Sequence, residues 1–267
     1  MTDSPTGRTI VRFEMVEVGI GRIVLDGPDR LNAFAPETFG ELAGVMATAE
    51  RDPGCRVILL TGAGRGFCAG LDLNTGFDLA DGTPEEFLAV QEQASGAVTS
   101  LRHLQTPVIA LVRGPAFGAG FALTLAADVR FCTPDATFCA AFIRIGLTGA
   151  DNGASWLLPR LVGLGQASEI LLTGKTVDAP EAERIGLVNR IVPPEALEDT
   201  ALATARLIVG NTAIGVGLTK QALQHNLDVS SLDAAVAFEN RGQTLAAQSP
   251  EFRDRVARFL KDRDHHD

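Results

Sequence analysis

The spacing of apolar residues changes repeatedly along the chain, which predicts strands that alternate with helices. Residues 10–17 and 20–25 have the short apolar runs of two strands joined in a hairpin. After Pro36, apolar residues recur at helical spacing until Asp52-Pro53-Gly54 ends the run. Residues 56–61 then form an apolar run that is typical of a buried strand.

The next part of the chain repeats this order of elements. A helix is predicted over about residues 84–104, a strand over 108–112 and a helix over 118–127. Such alternation of strands and helices indicates an α/β fold with parallel strands. Further along, the pattern is helical only, so we predict a core region, residues 1–195, and a helical C-terminal region, residues 196–267.

Composition and charge narrow the class of protein. With 267 residues, of which 46% are hydrophobic and 21% charged, the chain can form one sizeable core. A formal net charge of −10 argues against binding to nucleic acid or to an anionic membrane, but it leaves binding of a phosphorylated small molecule open. The apolar stretch over residues 107–127 is interrupted by Arg113, Pro115 and glycines, so we expect no membrane span.

The cysteines and histidines suggest neither a disulfide framework nor a metal site. The four cysteines contain no C-x-x-C pair, and a chain of this size needs no disulfides, so we expect reduced thiols. A cytoplasmic location is the default expectation, since residues 1–8 are polar and lack the apolar run of a secretory signal. No cluster of His, Cys and Asp has metal-ligand spacing, so no metal site is expected.

Two of the predicted strands lead into glycine-dense turns, over residues 62–70 and 113–120. Small residues let a ligand lie against bare backbone, so the N–H groups of Ala69 and Ala119 are candidates to point at one oxygen. Two such donors would form an oxyanion hole. Strand-to-helix turns in any α/β protein also favour glycine, so the turns alone fit a purely structural interpretation equally well.

Six segments of the chain resemble one known family in their order and spacing. They are residues 29–34 (DRLNAF), 62–73, 113–120, 163–167 (GLGQA), 172–175 (LTGK) and 182–188 (AERIGLV). Together they resemble the enoyl-CoA hydratase/isomerase family, the crotonases, and the resemblance runs from about residue 10 to the C-terminus. It implies a spiral of ββα turns as the core, and C-terminal helices that build trimers, commonly paired into hexamers.

The resemblance also implies an acyl-CoA substrate whose enolate is stabilised by the backbone at Ala69 and Ala119. Coenzyme A is then part of the substrate, and no separate cofactor is expected. The two glutamates of the usual hydratase correspond to Ala122 and Phe142, which cannot transfer a proton. The standard syn-hydration mechanism therefore lacks its acid and its base. Asp151 falls where dienoyl-CoA isomerases carry an aspartate.

Two interpretations of Asp151 stay open. An aspartate among glycines and an asparagine at the start of a helix is commonly an N-cap or turn residue. Alternatively, Asp151 faces the acyl chain in an apolar pocket lined by Phe142 and Trp156, where desolvation would raise its pKa into a range useful for acid/base catalysis.

Coenzyme A binding is assigned by the resemblance to two segments, which act largely through their backbone. The residues concerned are Arg30, Leu31 and Ala33 in the first segment and Leu71, Asp72 and Leu73 in the second. Arg30 is the preferred cation for a CoA phosphate, and Lys261 from the tail of a neighbouring subunit is a weaker candidate. Residues 76–82, rich in Gly and Asp, are the candidate for a mobile loop over the site.

The sequence thus predicts an acyl-CoA enzyme with Asp151 as its acid/base. The alternative is an oligomer that binds acyl-CoA without catalysis, which the two missing glutamates suggest directly.

A hydrolytic reaction is disfavoured, because Ser95, Ser100 and Ser155 have no convincing His partner. Asp128, at the end of the helix over residues 118–127, is predicted to serve structure.

Overall fold

The computed structural model describes residues 10–73 and 82–263. Apart from Gly82, the candidate loop over residues 76–82 lies outside the described residues.

The strands form two sheets. The larger sheet has the spatial order β1 (Ile10–Glu17), β2 (Gly19–Asp26), β3 (Cys55–Gly62), β4 (Val108–Val112), β6 (Val129–Cys132) and β9 (Arg190–Ile191). The smaller sheet consists of β5 (Pro115–Phe117), β7 (Thr137–Cys139) and β8 (Val177–Asp178). β1 and β2 form the predicted antiparallel hairpin, and every further pairing of the larger sheet is parallel. The structure therefore confirms the predicted α/β class.

Helices cover the larger sheet and continue beyond it. They are α1 (Pro36–Arg51), α2 (Pro84–His103), α3 (Ala119–Ala126), α4 (Ala154–Val162), α5 (Leu164–Thr173), α6 (Ala179–Arg184), α7 (Leu197–Val209), α8 (Ala213–His225), α9 (Leu232–Ala247) and α10 (Pro250–Arg263). α1 ends at Arg51, directly before the predicted stop at Asp52-Pro53-Gly54.

The central strands are buried on both faces because successive side chains of a strand point to opposite sides. On β3, Ile58 and Leu60 enter one apolar cluster, which also contains residues of α1, α2 and α3. Val57 and Leu59 enter a second cluster, which includes Leu197 at the start of α7. A parallel sheet with helices on both faces is the arrangement that its apolar strands require.

Helix α2 is held firmly at its beginning and along one face. The Thr83 hydroxyl accepts a hydrogen bond from the Glu86 N–H at 3.2 Å, and the Glu86 carboxylate accepts one from the Thr83 N–H at 2.8 Å. This reciprocal pair satisfies two backbone donors of the first turn. The buried face of the helix carries Ala94, Ala97, Val98 and Leu101.

The hydrophobic core extends past the predicted boundary at residues 195 and 196, because α7 packs on the larger sheet. α8 is attached to the same core by Lys220. Its ammonium group donates to Asp128 Oδ2 at 2.7 Å and to the Thr106 carbonyl at 3.1 Å. Asp128 Oδ2 also accepts from the Val108 N–H at 2.8 Å. Asp128 thus has the structural role that was predicted for it.

Within the described residues, no single helix has the length and apolar character needed to cross a membrane. One pair, residues 194–209 and 213–225, meets that test only when its helices are taken together, and the pair is bent by 105°.

Candidate functional site

A cavity of about 110 Å³ lies beside the beginning of α3, between the turn that follows β3 and helix α2. It brings together the predicted site residues Ala69, Leu71, Leu73, Ala119, Phe142 and Asp151. The predicted residues Arg30, Leu31, Ala33 and Asp72 do not line it. Of the described residues that do line it, Asp151 is the only titratable one.

The backbone around Ala69 corrects one prediction. The Ala69 N–H donates to the Leu31 carbonyl at 2.9 Å, so it is already used within the protein and the prediction that it forms an oxyanion hole is wrong. Two residues further on, Leu71 also lines the cavity. In the described part of the chain, the N–H groups of Leu71 and Ala119 have no hydrogen-bond acceptor.

Gly70 and Gly118 let the two turns come into contact. Their φ angles are +91° and +53°, which side-chain-bearing residues rarely adopt. A Cβ atom at Gly70 would lie 2.8 Å from the Phe117 carbonyl oxygen and 3.4 Å from the Ala119 nitrogen. The segment with the Leu71 N–H therefore packs directly against the segment with the Ala119 N–H.

Ala119 is the first residue of α3, where the N–H groups of a helix have no partner within the helix. The aligned peptide dipoles also make this end of the helix favourable for negative charge. The part of the cavity at the beginning of α3 is thus electrostatically suited to an oxygen that carries partial negative charge.

Asp151 lies in this cavity, as the functional interpretation predicts. Its Oδ1 accepts hydrogen bonds from the Asn152 N–H at 2.7 Å and from Gln91 Nε2 at 2.9 Å. Burial raises the pKa of Asp151, and the two hydrogen bonds oppose that shift because they favour the ionised form. The N-cap of α4 is Gly153, so Asp151 is not the N-cap. The Ala154 N–H donates to the Asp151 carbonyl at 2.8 Å, so Asp151 also begins a turn, as the structural interpretation predicts.

Two polar residues of the cavity were not predicted from the sequence. Asn152 has a φ of +48°, is 5% exposed, and its Oδ1 has no hydrogen-bond partner within the described residues. Gln91 comes from α2, where it falls among the inward-facing apolar residues Phe87, Val90 and Ala94. A single amide in an apolar helical stripe is a signal that could have identified Gln91.

Phe142 and Trp156 were predicted to line the same pocket, and the structure separates them. Phe142 lines the cavity, and its ring lies 3.4 Å from the place of a Cβ at Gly118. Trp156 lies instead in a larger cavity of about 790 Å³ between α4 and the C-terminal helices. The Arg160 guanidinium covers the Trp156 ring at 3.8 Å. The prediction that Trp156 lines the same pocket as Phe142 and Asp151 is therefore wrong.

The positions that the resemblance assigns to the two hydratase glutamates are both apolar. Ala122 is fully buried in α3, and Phe142 is 8% exposed. Cys68, beside Ala69, is a buried free thiol, and burial raises its pKa to about 12, which disfavours the reactive thiolate form. The residues described contain no group of three or more His, Cys, Asp and Glu side chains that could hold a metal ion.

The predicted coenzyme A segments lie next to the cavity and are tied to one another. Arg30 forms a bidentate pair with Asp72, with N–O distances of 2.5 and 3.1 Å. The Phe34 N–H donates to the Gly70 carbonyl at 2.7 Å, and the Asp72 N–H donates to the Phe34 carbonyl at 2.8 Å. Arg30 is 35% exposed in this pair, so a phosphate would reach only its outer edge.

Comparison with known proteins decides the family. Residues 16–266 match the family model described as "Enoyl-CoA hydratase/isomerase". The chain belongs to the enoyl-CoA hydratase/isomerase family.

Two relatives within the family carry different activities in their names. The first is "Probable enoyl-CoA hydratase EchA12" of Mycobacterium tuberculosis, with 41% identity over 88% of this chain and 84% of the relative. The other is "1,2-epoxyphenylacetyl-CoA isomerase" of Escherichia coli, with 38% identity over 93% of this chain and 94% of the relative. The chain is thus an enzyme of the hydratase/isomerase type that acts on acyl-CoA.

Solved structures of the family share the fold over nearly the whole chain. An enoyl-CoA hydratase from Bacillus anthracis superposes with a TM-score of 0.89, at 27% identity and with 94% of this chain and 96% of that chain covered. An enoyl-CoA hydratase/isomerase from Cupriavidus metallidurans has a TM-score of 0.87 at 35% identity, covering 94% and 93%. The crotonase-like spiral core with C-terminal helices is thereby confirmed.

Proposed function

We propose that this enzyme binds the thioester oxygen of an acyl-CoA with the N–H groups of Leu71 and Ala119 and moves a proton with Asp151. The observation that carries the proposal is that Asp151 is the only titratable residue among the described lining of the cavity. The same lining contains Leu71 and Ala119, whose N–H groups have no acceptor within the described residues. Leu71 replaces Ala69, whose N–H is occupied by Leu31.

The proposed step is a balanced proton transfer. The Asp151 carboxylate takes a proton from a carbon of the acyl chain, and the electron pair of the C–H bond moves toward the thioester, whose oxygen takes up negative charge. The same carboxyl group then returns the proton to another carbon, which gives isomerisation. The step uses no redox or metal co-reactant, and coenzyme A takes part only as the thioester.

The raised pKa of Asp151 supports this role. A base is more effective when its pKa lies closer to the working pH, and burial moves Asp151 in that direction. The name of the Escherichia coli relative also supports isomerisation, since that protein is named for an isomerisation of a ring-bearing acyl-CoA. Coenzyme A binding by Arg30, Leu31, Ala33, Asp72 and Leu73 is part of the proposal.

The test is deuterium exchange of acyl-chain protons on a panel of saturated and unsaturated acyl-CoAs in deuterated water. We expect Asp151→Asn to lower the exchange rate by about 100-fold or more. Acyl-CoA affinity, measured by calorimetry, is expected to change little, since asparagine has the same shape. Asp135→Asn, at an exposed turn, is the matched control and is expected to exchange like the wild type.

Wild-type exchange rates in Asp151→Asn would contradict the role of Asp151. A second candidate function is acyl-CoA binding without catalysis, which the apolar residues Ala122 and Phe142 favour. It predicts tight binding of several acyl-CoAs and no exchange with any of them.

A further inference from the structure

We propose that Gln91 is the positioning residue of Asp151: it fixes carboxylate oxygen Oδ1, so that Oδ2 is the oxygen that exchanges the proton with substrate. The inference rests on the proposed function of Asp151. It assigns a role to a residue of α2, a helix that contributes no other polar side chain to the lining of the cavity within the described residues.

The hydrogen bonds to Asp151 are unevenly distributed between its two oxygens. Gln91 Nε2 and the Asn152 N–H both reach Oδ1, at 2.9 and 2.7 Å. Within the described part of the chain, no donor reaches Oδ2. Because an ionised carboxylate only accepts hydrogen bonds, Gln91 must present its NH₂ group here, which fixes the orientation of its amide.

The donor comes from a rigid support. α2 begins with the reciprocal Thr83 and Glu86 hydrogen bonds, and its buried residues Ala94, Val98 and Leu101 belong to the main core. Catalytic groups are held accurately when their partners sit on packed helices rather than on loops. The Asn152 N–H comes from the chain neighbour of Asp151, so Gln91 supplies the restraint from a separate element.

Gln91 also acts on the protonation of Asp151. A donor that faces a carboxylate stabilises its charged form and lowers its pKa, against the raising effect of burial. Along the described lining of the cavity, no other titratable or charged group faces Asp151 from α2, α3 or the segment around Phe142. Removal of the Gln91 amide is therefore expected to raise the pKa of Asp151 further.

The experiment compares Gln91→Met with Gln93→Met, an exposed position on the same helix. Proton exchange on an acyl-CoA is followed against pH, and the Asp151 carboxyl is titrated by infrared difference spectra that use Asp151→Asn as the reference. In Gln91→Met the acidic limb of the rate profile and the carboxyl titration are both expected to move up by about one pH unit. The maximal rate is expected to fall about 10- to 100-fold with KM little changed.

Gln91→Glu is the second variant, in case Gln91→Met fails to fold. Two carboxyl groups at this distance cannot both be ionised without repulsion, so the Gln91→Glu substitution is expected to raise the pKa of Asp151 as well. Gln93→Met is expected to match the wild type in its maximal exchange rate, in the acidic limb of its pH–rate profile and in the titration of the Asp151 carboxyl.

The possible results separate the two proposals. Suppose that Asp151→Asn abolishes exchange, while the Gln91 variants keep the wild-type acidic limb of the pH–rate profile and the wild-type pKa of the Asp151 carboxyl. The inference on Gln91 is then overturned and the role of Asp151 stands. If Asp151→Asn keeps wild-type exchange, the proposed function fails and the inference on Gln91 fails with it.

Discussion

Asn32 shows how one side chain holds the turns around the cavity. It is fully buried, and its Nδ2 donates to the carbonyls of Ala63, Gly66 and Phe67 at 2.8 to 3.2 Å. Its Oδ1 accepts from the Gly27 N–H at 2.8 Å, and its own φ is +57°. A single amide therefore ties the turn after β2 to the turn after β3.

We expect Asn32→Ala to destabilise the protein by about 3 kcal/mol or more, because several buried backbone groups lose their partner. Alanine also tolerates the left-handed backbone less well than asparagine. Urea denaturation measures the change, with Asn240→Ala on exposed α9 as the control, which should stay within about 0.5 kcal/mol of the wild type. Equal midpoints for Asn32→Ala and the wild type would contradict this role.

The residue that supplies a backbone donor could not be read from the sequence. Ala69 and Leu71 are both near glycines after the same strand, and either could have carried the free N–H. The choice depends on the Leu31 carbonyl, which the fold brings to Ala69 from the turn after β2. Hydrogen bonds between segments far apart in sequence leave no local pattern, which is why the sequence pointed to the wrong residue.

At the scale of elements, strands and helices were predicted correctly where the apolar periodicity and the turn residues indicate the same boundary. The hairpin of β1 and β2, the end of α1 and the bounds of β4 follow from local pattern and are confirmed. Asp151 was identified from the family resemblance rather than from local pattern, and the structure places it in the cavity. Trp156 was misplaced because its direction depends on how α4 packs, and the chain order alone does not encode that packing.

The start of α3 allows a test of the backbone donor at Ala119. Proline is tolerated at the first position of a helix, where its missing N–H breaks no helical hydrogen bond. We expect Ala119→Pro to fold and to lower proton exchange by about 100- to 1,000-fold, the usual effect of losing one oxyanion donor.

Circular dichroism and thermal denaturation check the fold of that variant, and deuterium exchange checks its activity. Ala119→Gly keeps the N–H and serves as the control, so it should retain most of the exchange rate. A folded Ala119→Pro enzyme with the wild-type rate would show that this N–H does not bind the thioester oxygen.

At the scale of the whole molecule, the C-terminal helices expose apolar surface. On α10, Phe252, Val256, Phe259 and Leu260 are exposed by 39 to 69% and recur at helical spacing. Exposed apolar stripes of this kind mark interaction surfaces. They support the oligomerisation that the family resemblance implies.

We expect the protein to sediment as a trimer or a hexamer in analytical ultracentrifugation. Phe259→Asp should weaken the assembly, because it places a charge in the apolar stripe of α10. Asp254→Asn, a polar change on the same helix, is the control and should leave the assembly intact. A wild-type protein that sediments only as a monomer would contradict the expectation.

The N–H groups of Leu71 and Ala119, which have no acceptor among the residues that the structure describes, belong to the main chain, and this has a consequence for how the enzyme can change over generations. Almost every codon change at these positions leaves the N–H in place, so the part of the site that would hold the thioester is robust to mutation. The part that would move the proton depends on the single side chain of Asp151. Selection could therefore replace one reaction with another by altering a few side chains, while the binding of the activated carbonyl is inherited unchanged.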